Sequence, residues 1–329
     1  MASALAKSAI ILANTILVVI YLQLSARHGK SKSDTALIVL FAEMMKFLFS
    51  AAMTYSMRHR KGVVIKFEVN RFLMWGLPSI IYFVQNNVSN SAFHYLDGPT
   101  YALLGNFRLV ITPLLSLFFL RKWIGAQRWC AILSAFFGVL MSELNPCAGS
   151  SSSPASATES SFFVVHPLGL LFGLLVPACS ALAGVITEKF MKDPAYAQEP
   201  IHWQNLQLYT FGIVCNAALA VGQGVLTNPP SLAALGEKFT ISFLLASIGI
   251  LTSLTIKYLD NIRKNFTTVF ALFGSTFVTS LATWTRPSTP FLIGACVVSV
   301  AQISYTLAQM QEDKDRTLAA QQHPPHSPA

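Results

Sequence analysis

Stretches of about 20 apolar residues recur along the whole chain, and this pattern constrains the fold more than any other feature. A helix needs roughly 20 apolar residues to cross the hydrocarbon core of a bilayer. Charged residues make up only 11% of the chain, against about 25% in an ordinary soluble domain. The pattern therefore predicts an all-α membrane protein. Ten transmembrane helices are predicted, at residues 4–24, 36–57, 72–95, 99–120, 128–145, 167–188, 202–222, 239–258, 264–284 and 289–310.

The tripeptide Tyr-Leu-Asp occurs twice between predicted spans, ending at Asp97 and at Asp260, which are 163 positions apart. Each copy indicates a tight hairpin whose Asp caps the following helix. Five spans in each half would turn the second half over relative to the first, as in many transporters. We therefore predict two inverted five-helix repeats, with chance recurrence of a tripeptide as the alternative. The predicted segments are a first repeat at 1–145, a Ser-rich linker at 146–166, a second repeat at 167–310 and a cytosolic tail at 311–329.

The chain carries a net charge of +9, which by itself is also typical of nucleic-acid binders. Most of the 23 Lys and Arg residues, however, fall on one side of the predicted spans. Cytoplasmic loops of membrane proteins carry such an excess. We therefore expect a protein embedded in the lipid bilayer with both termini in the cytosol, and no nucleic-acid partner.

The chain has five cysteines without metal-ligand spacing, and no His/Cys cluster. It also lacks a Gly-rich phosphate loop of the Walker type and a nucleophile with a neighbouring base. We therefore expect no metal, no cofactor and no enzymatic activity.

Glu43 and Lys46 place opposite charges three residues apart within the second predicted span. Residues at this spacing can face each other on a helix, which lowers the free energy of placing them in lipid. A structural ion pair and a gating pair are both compatible with the spacing.

Three polar or aromatic residues of the third span, Tyr82, Gln85 and Asn86, share one helical face. An amide in the bilayer needs a partner, so this face must look at other helices or at a watery cavity. It predicts either interhelical contacts or a site for a ring with hydrogen-bonding edges.

The fourth span aligns Tyr101, Gly105 and Arg108 along one stripe. A charge at the centre of a bilayer costs on the order of 2.5–3.5 kcal/mol on insertion scales, so Arg108 requires a partner. Because few carboxylates are available, an anionic substrate is favoured over a structural ion pair.

The second half repeats this combination of aromatic, amide and cationic residues. Asn205 and Tyr209 share a face of the seventh span. Lys257, Asn261 and Lys264 would share a face if the helix continued through the second hairpin, whereas a break there leaves only Asn261 and Lys264 in one turn.

Five ordered motifs, spread over nearly the whole chain, resemble those of the nucleotide-sugar transporters. The resemblance is to the subfamily that includes transporters of CMP-sialic acid, UDP-galactose and UDP-N-acetylglucosamine. The motifs are Tyr82-x-x-Gln-Asn-Asn87, Leu96-Asp-x-x-x-Tyr101, Gly184-Val-x-x-Glu188-Lys189, Asn205-x-Gln-x-Tyr-x-x-Gly212 and Lys257-Tyr-x-Asp-Asn-Ile-x-Lys264-x-Phe266.

This resemblance implies a ten-helix, two-repeat antiporter of the drug/metabolite transporter superfamily in the Golgi or endoplasmic reticulum membrane. Such a protein exchanges a cytosolic nucleotide sugar for a lumenal nucleoside monophosphate. Whether it works as a monomer or as a homodimer stays open. Family residues that line the nucleotide pocket match Tyr82, Gln85, Asn86, Tyr101, Asn205, Tyr209 and Lys264, and we add Arg108 and Asn261 as substrate-binding residues.

The expected substrate is a pyrimidine nucleotide sugar, UDP-galactose or UDP-N-acetylhexosamine first and CMP-sialic acid second. Arg108 stands where many relatives carry Lys, and Phe211 where a small polar residue is common, so the sugar itself stays open. A membrane glycosyltransferase should show paired acidic residues for a divalent metal. A drug exporter of the superfamily should prefer carboxylates to cations within the membrane. Glu43 is the one intramembrane carboxylate considered, and its position beside Lys46 argues against this alternative.

Overall fold

A computed structural model gives the fold, and it describes residues 2–27, 32–62, 67–92, 95–96, 98–143, 147–148, 167–195, 199–224 and 232–322. These residues are nearly all helical. Two short strands, β1 (Cys147–Ala148) and β2 (Arg286–Pro287), pair in antiparallel register. The fold thus agrees with the predicted all-α class.

Twelve helices are present in the described residues. The first seven are α1 (Ala2–Arg27), α2 (Lys32–Lys61), α3 (Val69–Met74), α4 (Gly76–Ala92), α5 (Gly98–Gly105), α6 (Arg108–Phe119) and α7 (Ala126–Glu143). The remaining five are α8 (Pro167–Met191), α9 (Ile201–Gly222), α10 (Leu232–Tyr258), α11 (Asn261–Ala282) and α12 (Thr289–Gln322).

Seven helical segments in this described part are long and apolar enough to cross a membrane. Two further apolar helices, Ser8–Leu24 and Ala126–Ser142, are shorter. Large apolar side chains also point outward, for example Phe118, which is 74% exposed, and Val300, which is 63% exposed. Such an outer surface is unfavourable in water and suits lipid, so the chain is a multi-pass membrane protein. The seven long segments are Ala36–Arg60, Thr100–Phe119, Pro167–Met191, Ile201–Gly222, Leu235–Tyr258, Asn261–Ala282 and Thr289–Glu312.

Two of the predicted spans are interrupted helices, which the apolar pattern did not predict. The third span is divided at Trp75, just before the first turn of α4, which contains Pro78. Proline is tolerated in a first turn and disfavoured deeper in a helix. The fourth span is divided at Asn106 and Phe107, where Nδ2 of Asn106 donates to the carbonyl of Ala102 at 2.7 Å. Such side-chain bonds compete with the regular helical ladder.

The second hairpin confirms the predicted cap. The side chain of Asp260 accepts a hydrogen bond from the backbone N–H of Arg263 at 2.7 Å, as an N-cap residue does. The helix breaks here, so Lys257 does not share a face with Asn261 and Lys264. Instead, Lys257 Nζ donates to the carbonyl oxygen of Glu199 at 2.7 Å.

Part of the first hairpin and most of the linker lie outside the described residues, whereas the end of the tenth span lies within them. Asp97, the predicted cap of the first hairpin, lies outside the described residues, as do residues 149–166 of the predicted linker. The last helix continues to Gln322, beyond the predicted end of the tenth span at residue 310.

Helix α8 is central to the packing, since it contacts α4, α5, α6, α10 and α11. Glycines make these approaches close. A Cβ atom at Gly169 would lie 3.0 Å from the side chain of Leu96 in the first hairpin. A Cβ atom at Gly184 would collide with the side chain of Asn261 at the second hairpin. Helix α8 therefore touches both hairpins.

Candidate functional site

The structure brings the two predicted cations, Arg108 on α6 and Lys264 on α11, within electrostatic range of each other. Neither forms an ion pair with a described residue. Nε of Arg108 is buried and has no hydrogen-bond partner. Two neighbouring like charges without counter-ions are unfavourable in a protein interior. The pair is therefore a candidate site for an anion.

Glu188 is the nearest candidate for a protein counter-ion of Lys264, but its carboxylate is already engaged. Its Oε1 accepts from Lys192 Nζ at 2.8 Å, and its Oε2 accepts from the backbone N–H of Asn261 at 2.9 Å. Lys192 Nζ also donates to the carbonyl of Leu259 at 2.6 Å. Glu188 belongs to one of the five motifs, and the sequence predicted no role for it. The structure shows that it fastens the α10–α11 hairpin to the end of α8.

Three predicted amide side chains have buried atoms without hydrogen-bond partners. Asn205 is 1% exposed and Asn261 is fully buried, and neither the oxygen nor the nitrogen of either amide is bonded. The Oε1 atom of Gln85 is also unbonded. Leaving a buried polar group unsatisfied costs about 1–3 kcal/mol. These three side chains therefore keep hydrogen-bonding capacity that the described residues do not satisfy. Asn86 follows Gln85 on α4 and is half-buried.

Three tyrosines complete the predicted set. Tyr101 shares a 2.6 Å hydrogen bond with Ser89, and its side chain lies within electrostatic range of Arg108. Tyr209 is 3% exposed and shares a 3.2 Å hydrogen bond with Ser253. Tyr82 and Tyr209 lie within electrostatic range of each other. Thus Tyr101 belongs with the two cations, whereas Tyr82 and Tyr209 form a second, aromatic group.

The predicted Glu43–Lys46 ion pair is present, with Lys46 Nζ 2.6 Å from Glu43 Oε1. It occupies two glycine notches: a Cβ atom at Gly212 of α9 would lie 2.9 Å from Glu43 Oε2, and one at Gly249 of α10 would lie 2.7 Å from Lys46 Cδ. Lys46 Nζ also lies 4.5 Å from the centroid of the Tyr209 ring. The pair is thus packed against the aromatic group, and its role in gating stays a prediction.

Two further polar contacts near the site were not predicted from the sequence. Thr187 of α8 lies beside the Tyr82 hydroxyl. Asn265 of α11 donates to the Thr112 hydroxyl of α6 at 2.7 Å. No spacing rule applied to the sequence distinguishes either residue from one whose side chain bonds only to its own helix.

Ion pairs also join the helix ends outside the spans. Arg71 lies 3.1 Å from the carboxylate of Glu199, and burial raises the pKa of Glu199 even though Arg71 opposes this effect. Burial would also raise the pKa of Asp260. The pKa of Asp260 is instead held below its ordinary value, chiefly by Lys122, which lies 3.7 Å away. The backbone amide of Arg263 and the nearby charges of Arg263 and Lys192 act in the same direction.

No group of three or more His, Cys, Asp or Glu residues that could hold a metal ion occurs in the described ranges. The site thus offers cations, amides and aromatic rings. Such a set binds ligands that combine negative charge with a polar ring.

Comparisons with known proteins agree with this description. The family model described as "Nucleotide-sugar transporter" matches residues 3–306. CMP-sialic acid transporter 1 of Oryza sativa subsp. japonica is 31% identical, with 76% of this chain and 77% of that protein covered. CMP-sialic acid transporter 1 of Arabidopsis thaliana is 30% identical, with 84% and 82% covered. The UDP-galactose transporter senju of Drosophila melanogaster is 25% identical, with 83% and 77% covered.

A solved crystal structure shares the fold. It superposes with a TM-score of 0.66 at 14% identity, and the match covers 93% of this chain and 98% of the other. The similar proteins named above are transporters and not enzymes. Because the family model spans nearly the whole chain, this protein belongs to the nucleotide-sugar transporter family.

Proposed function

We propose that the protein is an antiporter that exchanges a cytosolic pyrimidine nucleotide sugar for a lumenal nucleoside monophosphate by alternating access. UDP-galactose or a UDP-N-acetylhexosamine is the proposed substrate, and CMP-sialic acid is the second candidate. The second candidate is favoured by the 31% and 30% identity to two plant proteins named CMP-sialic acid transporters. The first is favoured by a relative named for UDP-galactose.

The observation that carries this proposal is that Arg108 and Lys264 lie within electrostatic range of each other and form no ion pair with any residue that the structure describes. A nucleotide sugar brings about two negative charges into the pocket, which matches the two cations. Arg can hold phosphate oxygens in a bidentate fork, whereas Lys acts as a point charge. We therefore assign the phosphates to this pair, with Tyr101 beside them.

We assign binding of the nucleobase and of the sugar hydroxyls to the remaining predicted residues. Tyr82 and Tyr209 supply aromatic surface, and the unbonded amides of Gln85, Asn205 and Asn261 supply donors and acceptors. An amide whose own partners are missing can discriminate strongly, because a ligand that fails to bond leaves it unsatisfied. Asn86 is assigned to the same wall of the pocket.

A ten-helix architecture with two inverted repeats is the second part of the proposal. Adding the 163-residue offset to Gly98–Phe119, the bounds of α5 and α6 together, gives 261–282, the bounds of α11. The same addition moves the start of α7, Ala126, to 289, the start of α12. In both hairpins the Leu of Tyr-Leu-Asp is buried, with Leu96 7% and Leu259 8% exposed.

Helix packing supports the same relationship. The same offset makes α1 the counterpart of α8, α2 of α9, α4 of α10, α6 of α11 and α7 of α12. If each helix is exchanged for its counterpart, the contact of α4 with α8 becomes that of α10 with α1, and the contact of α6 with α8 becomes that of α11 with α1. It also converts α4 with α9 into α10 with α2. The pairs α2 with α9 and α7 with α12 convert into themselves. All of these contacts occur in the structure, as a two-fold relationship between repeats 1–145 and 167–310 requires.

The proposed location is the Golgi membrane, or the endoplasmic reticulum membrane, with both termini in the cytosol. The excess of Lys and Arg on one side supports this orientation. With this orientation the α10–α11 hairpin faces the cytosol and the α4–α5 hairpin faces the lumen.

Uptake into proteoliposomes tests the function directly. Purified protein is reconstituted and offered UDP-galactose, UDP-N-acetylglucosamine, UDP-N-acetylgalactosamine, CMP-sialic acid and GDP-mannose. We expect uptake of a UDP-sugar or of CMP-sialic acid. Uptake of GDP-mannose without any UDP- or CMP-linked activity would contradict the proposal.

Variants of the two cations test the site. Arg108→Ala and Lys264→Ala should abolish uptake while the yield of folded protein stays near normal, and Arg108→Lys should keep partial activity because it retains the charge. Uptake that falls only in proportion to the loss of folded protein would show that the cations serve structure instead.

A further inference from the structure

One polar contact joins the two helices that carry the cations. Nδ2 of Asn265 on α11 donates to Oγ1 of Thr112 on α6 at 2.7 Å and approaches the carbonyl oxygen of Arg108 at 3.3 Å. Both side chains are buried, with Asn265 2% and Thr112 fully unexposed. Asn265 directly follows Lys264, and Thr112 lies one helical turn after Arg108.

Among the described residues, neighbouring polar side chains of α11 do not form a similar hydrogen bond to α6. The neighbouring hydroxyls of Thr267 and Thr268 donate to the carbonyls of Arg263 and Lys264 of their own helix. They therefore add nothing to the contact between α6 and α11. Asn265 differs because its amide reaches the other helix, and because one of its acceptors is the backbone of Arg108 itself.

The position of this contact matters because like charges repel. Arg108 and Lys264 lie within electrostatic range, so their repulsion favours separating α6 from α11 when no anion is bound. A buried hydrogen bond one residue from Lys264, and ending on Arg108, opposes that separation. It contributes to the spacing of the two cations together with apolar residues of both helices, since Leu109 and Val269 belong to one buried core cluster.

Building on the proposed function, we infer that Asn265 and Thr112 are positioning residues that set the spacing of Arg108 and Lys264 and thereby the number of phosphates the site prefers. A diphosphate reaches both cations only when their separation matches its two phosphoryl groups. A monophosphate has one group and depends less on that separation. Asn265 and Thr112 do not touch the ligand in this account, and they act through the two cations.

The ratio of two affinities tests this inference, because UMP and UDP share base and ribose and differ by one phosphate. Dissociation constants of UMP, UDP, CMP and CDP are measured by titration calorimetry on the full-length protein in detergent. Thr112→Val removes the hydroxyl at nearly constant volume, and Asn265→Leu removes the amide. Thr112→Ser keeps the acceptor, and Thr268→Val removes a hydroxyl that bonds only within α11.

We expect Thr112→Val and Asn265→Leu to change the diphosphate-to-monophosphate affinity ratio by about fivefold or more, the effect of losing one buried hydrogen bond. The uridine-to-cytidine ratio should stay within about twofold, since the base end is untouched. Thr112→Ser and Thr268→Val should keep the wild-type phosphate ratio. If Asn265→Leu does not fold, Thr112→Val carries the test.

Three outcomes separate the inference from the proposed function. Failure of the wild-type protein to bind any of the four nucleotides would overturn both. Wild-type binding that Arg108→Ala weakens, together with an unchanged phosphate ratio in Thr112→Val, would overturn the inference alone. Altered exchange rates at an unchanged ratio would also overturn it and would assign the contact to the conformational change.

Discussion

Lys46 of α2 lies over the ring of Tyr209 of α9, with its Nζ atom 4.5 Å from the ring centroid. The same Nζ atom forms the 2.6 Å ion pair with Glu43. Lys46 and Tyr209 are also 163 positions apart, the offset that relates the two hairpins. The intramembrane ion pair is therefore attached to one wall of the proposed nucleotide site, so changes to the pair should affect both stability and transport.

Removing one charge of this pair should be more harmful than removing both. The two side chains are 13% and 16% exposed, and leaving one buried charge without its partner costs about 3–5 kcal/mol. We expect Lys46→Met to lower the thermal unfolding temperature in detergent much more than the double variant Glu43→Gln/Lys46→Met. Equal loss in the single and double variants would show that Lys46 stabilises through Tyr209 and not through Glu43.

A methyl group at Gly184 should disturb the second hairpin. The added Cβ would collide with the Asn261 side chain, and overpacking of this kind costs about 1–3 kcal/mol. We expect Gly184→Ala to lower both the unfolding temperature and nucleotide-sugar uptake. Gly222→Ala is the matched control, because a Cβ there meets no atom within 4 Å. Equal behaviour of the two variants would contradict the packing described for Asn261.

The charge of Asp260 should stabilise the α10–α11 hairpin in a pH-dependent way. Its pKa is held below the ordinary value of 3.8, so the folded state favours the carboxylate. This stabilisation is complete above the ordinary value and is lost as the pH falls through the lower folded-state value. Asp260→Asn keeps a good N-cap residue and removes only the charge.

We therefore expect Asp260→Asn to unfold at a lower temperature than the wild-type protein at pH 7. The difference should shrink as the pH is lowered from about 5 to about 3. A difference that stays constant over this range would mean that the carboxylate charge is not what stabilises the hairpin.

The proposed inverted repeats would place the two hairpins on opposite sides of the membrane. Tyr95 and Tyr258 are 42% and 50% exposed, so each can be replaced by Cys in a background without the five native cysteines. In sealed Golgi vesicles with the cytosolic face outward, an impermeant maleimide should label Tyr258→Cys. It should label Tyr95→Cys only after the vesicles are opened. Labelling of both in sealed vesicles would contradict the inverted arrangement.

The sequence was most informative where a pattern extends over many residues or where charge in lipid demands a partner. Apolar stretches predicted the helical class, the position of Asp260 predicted its cap, and the spacing of Glu43 and Lys46 predicted their ion pair. Each follows from local geometry along one helix or one turn.

Contacts between distant helices could not be predicted in this way. The break of the fourth span at Asn106 and Phe107 could not be predicted either, because an Asn in an apolar helix does not reveal which acceptor its side chain will choose. Likewise, Glu188 is held by Lys192 and by the backbone of Asn261, and Asn265 reaches Thr112 across 153 positions of sequence. These contacts require the three-dimensional packing around α8.

Exchange transport tests the central claim most directly, because it follows from the two cations. In the proposed mechanism, closing the empty site would bury two cations that have no ion-pair partner among the described residues, at a cost of several kcal/mol. A nucleotide sugar or a nucleoside monophosphate, which carries about −1.5 to −2 charges when its second pKa is near 6, can neutralise them. We predict that proteoliposomes loaded with UMP or CMP take up labelled nucleotide sugar much faster than empty ones, and that vesicles loaded with uridine or galactose show no acceleration. Equal rate and extent of uptake in empty and UMP- or CMP-loaded vesicles would contradict the account, since the unliganded carrier would then reorient freely.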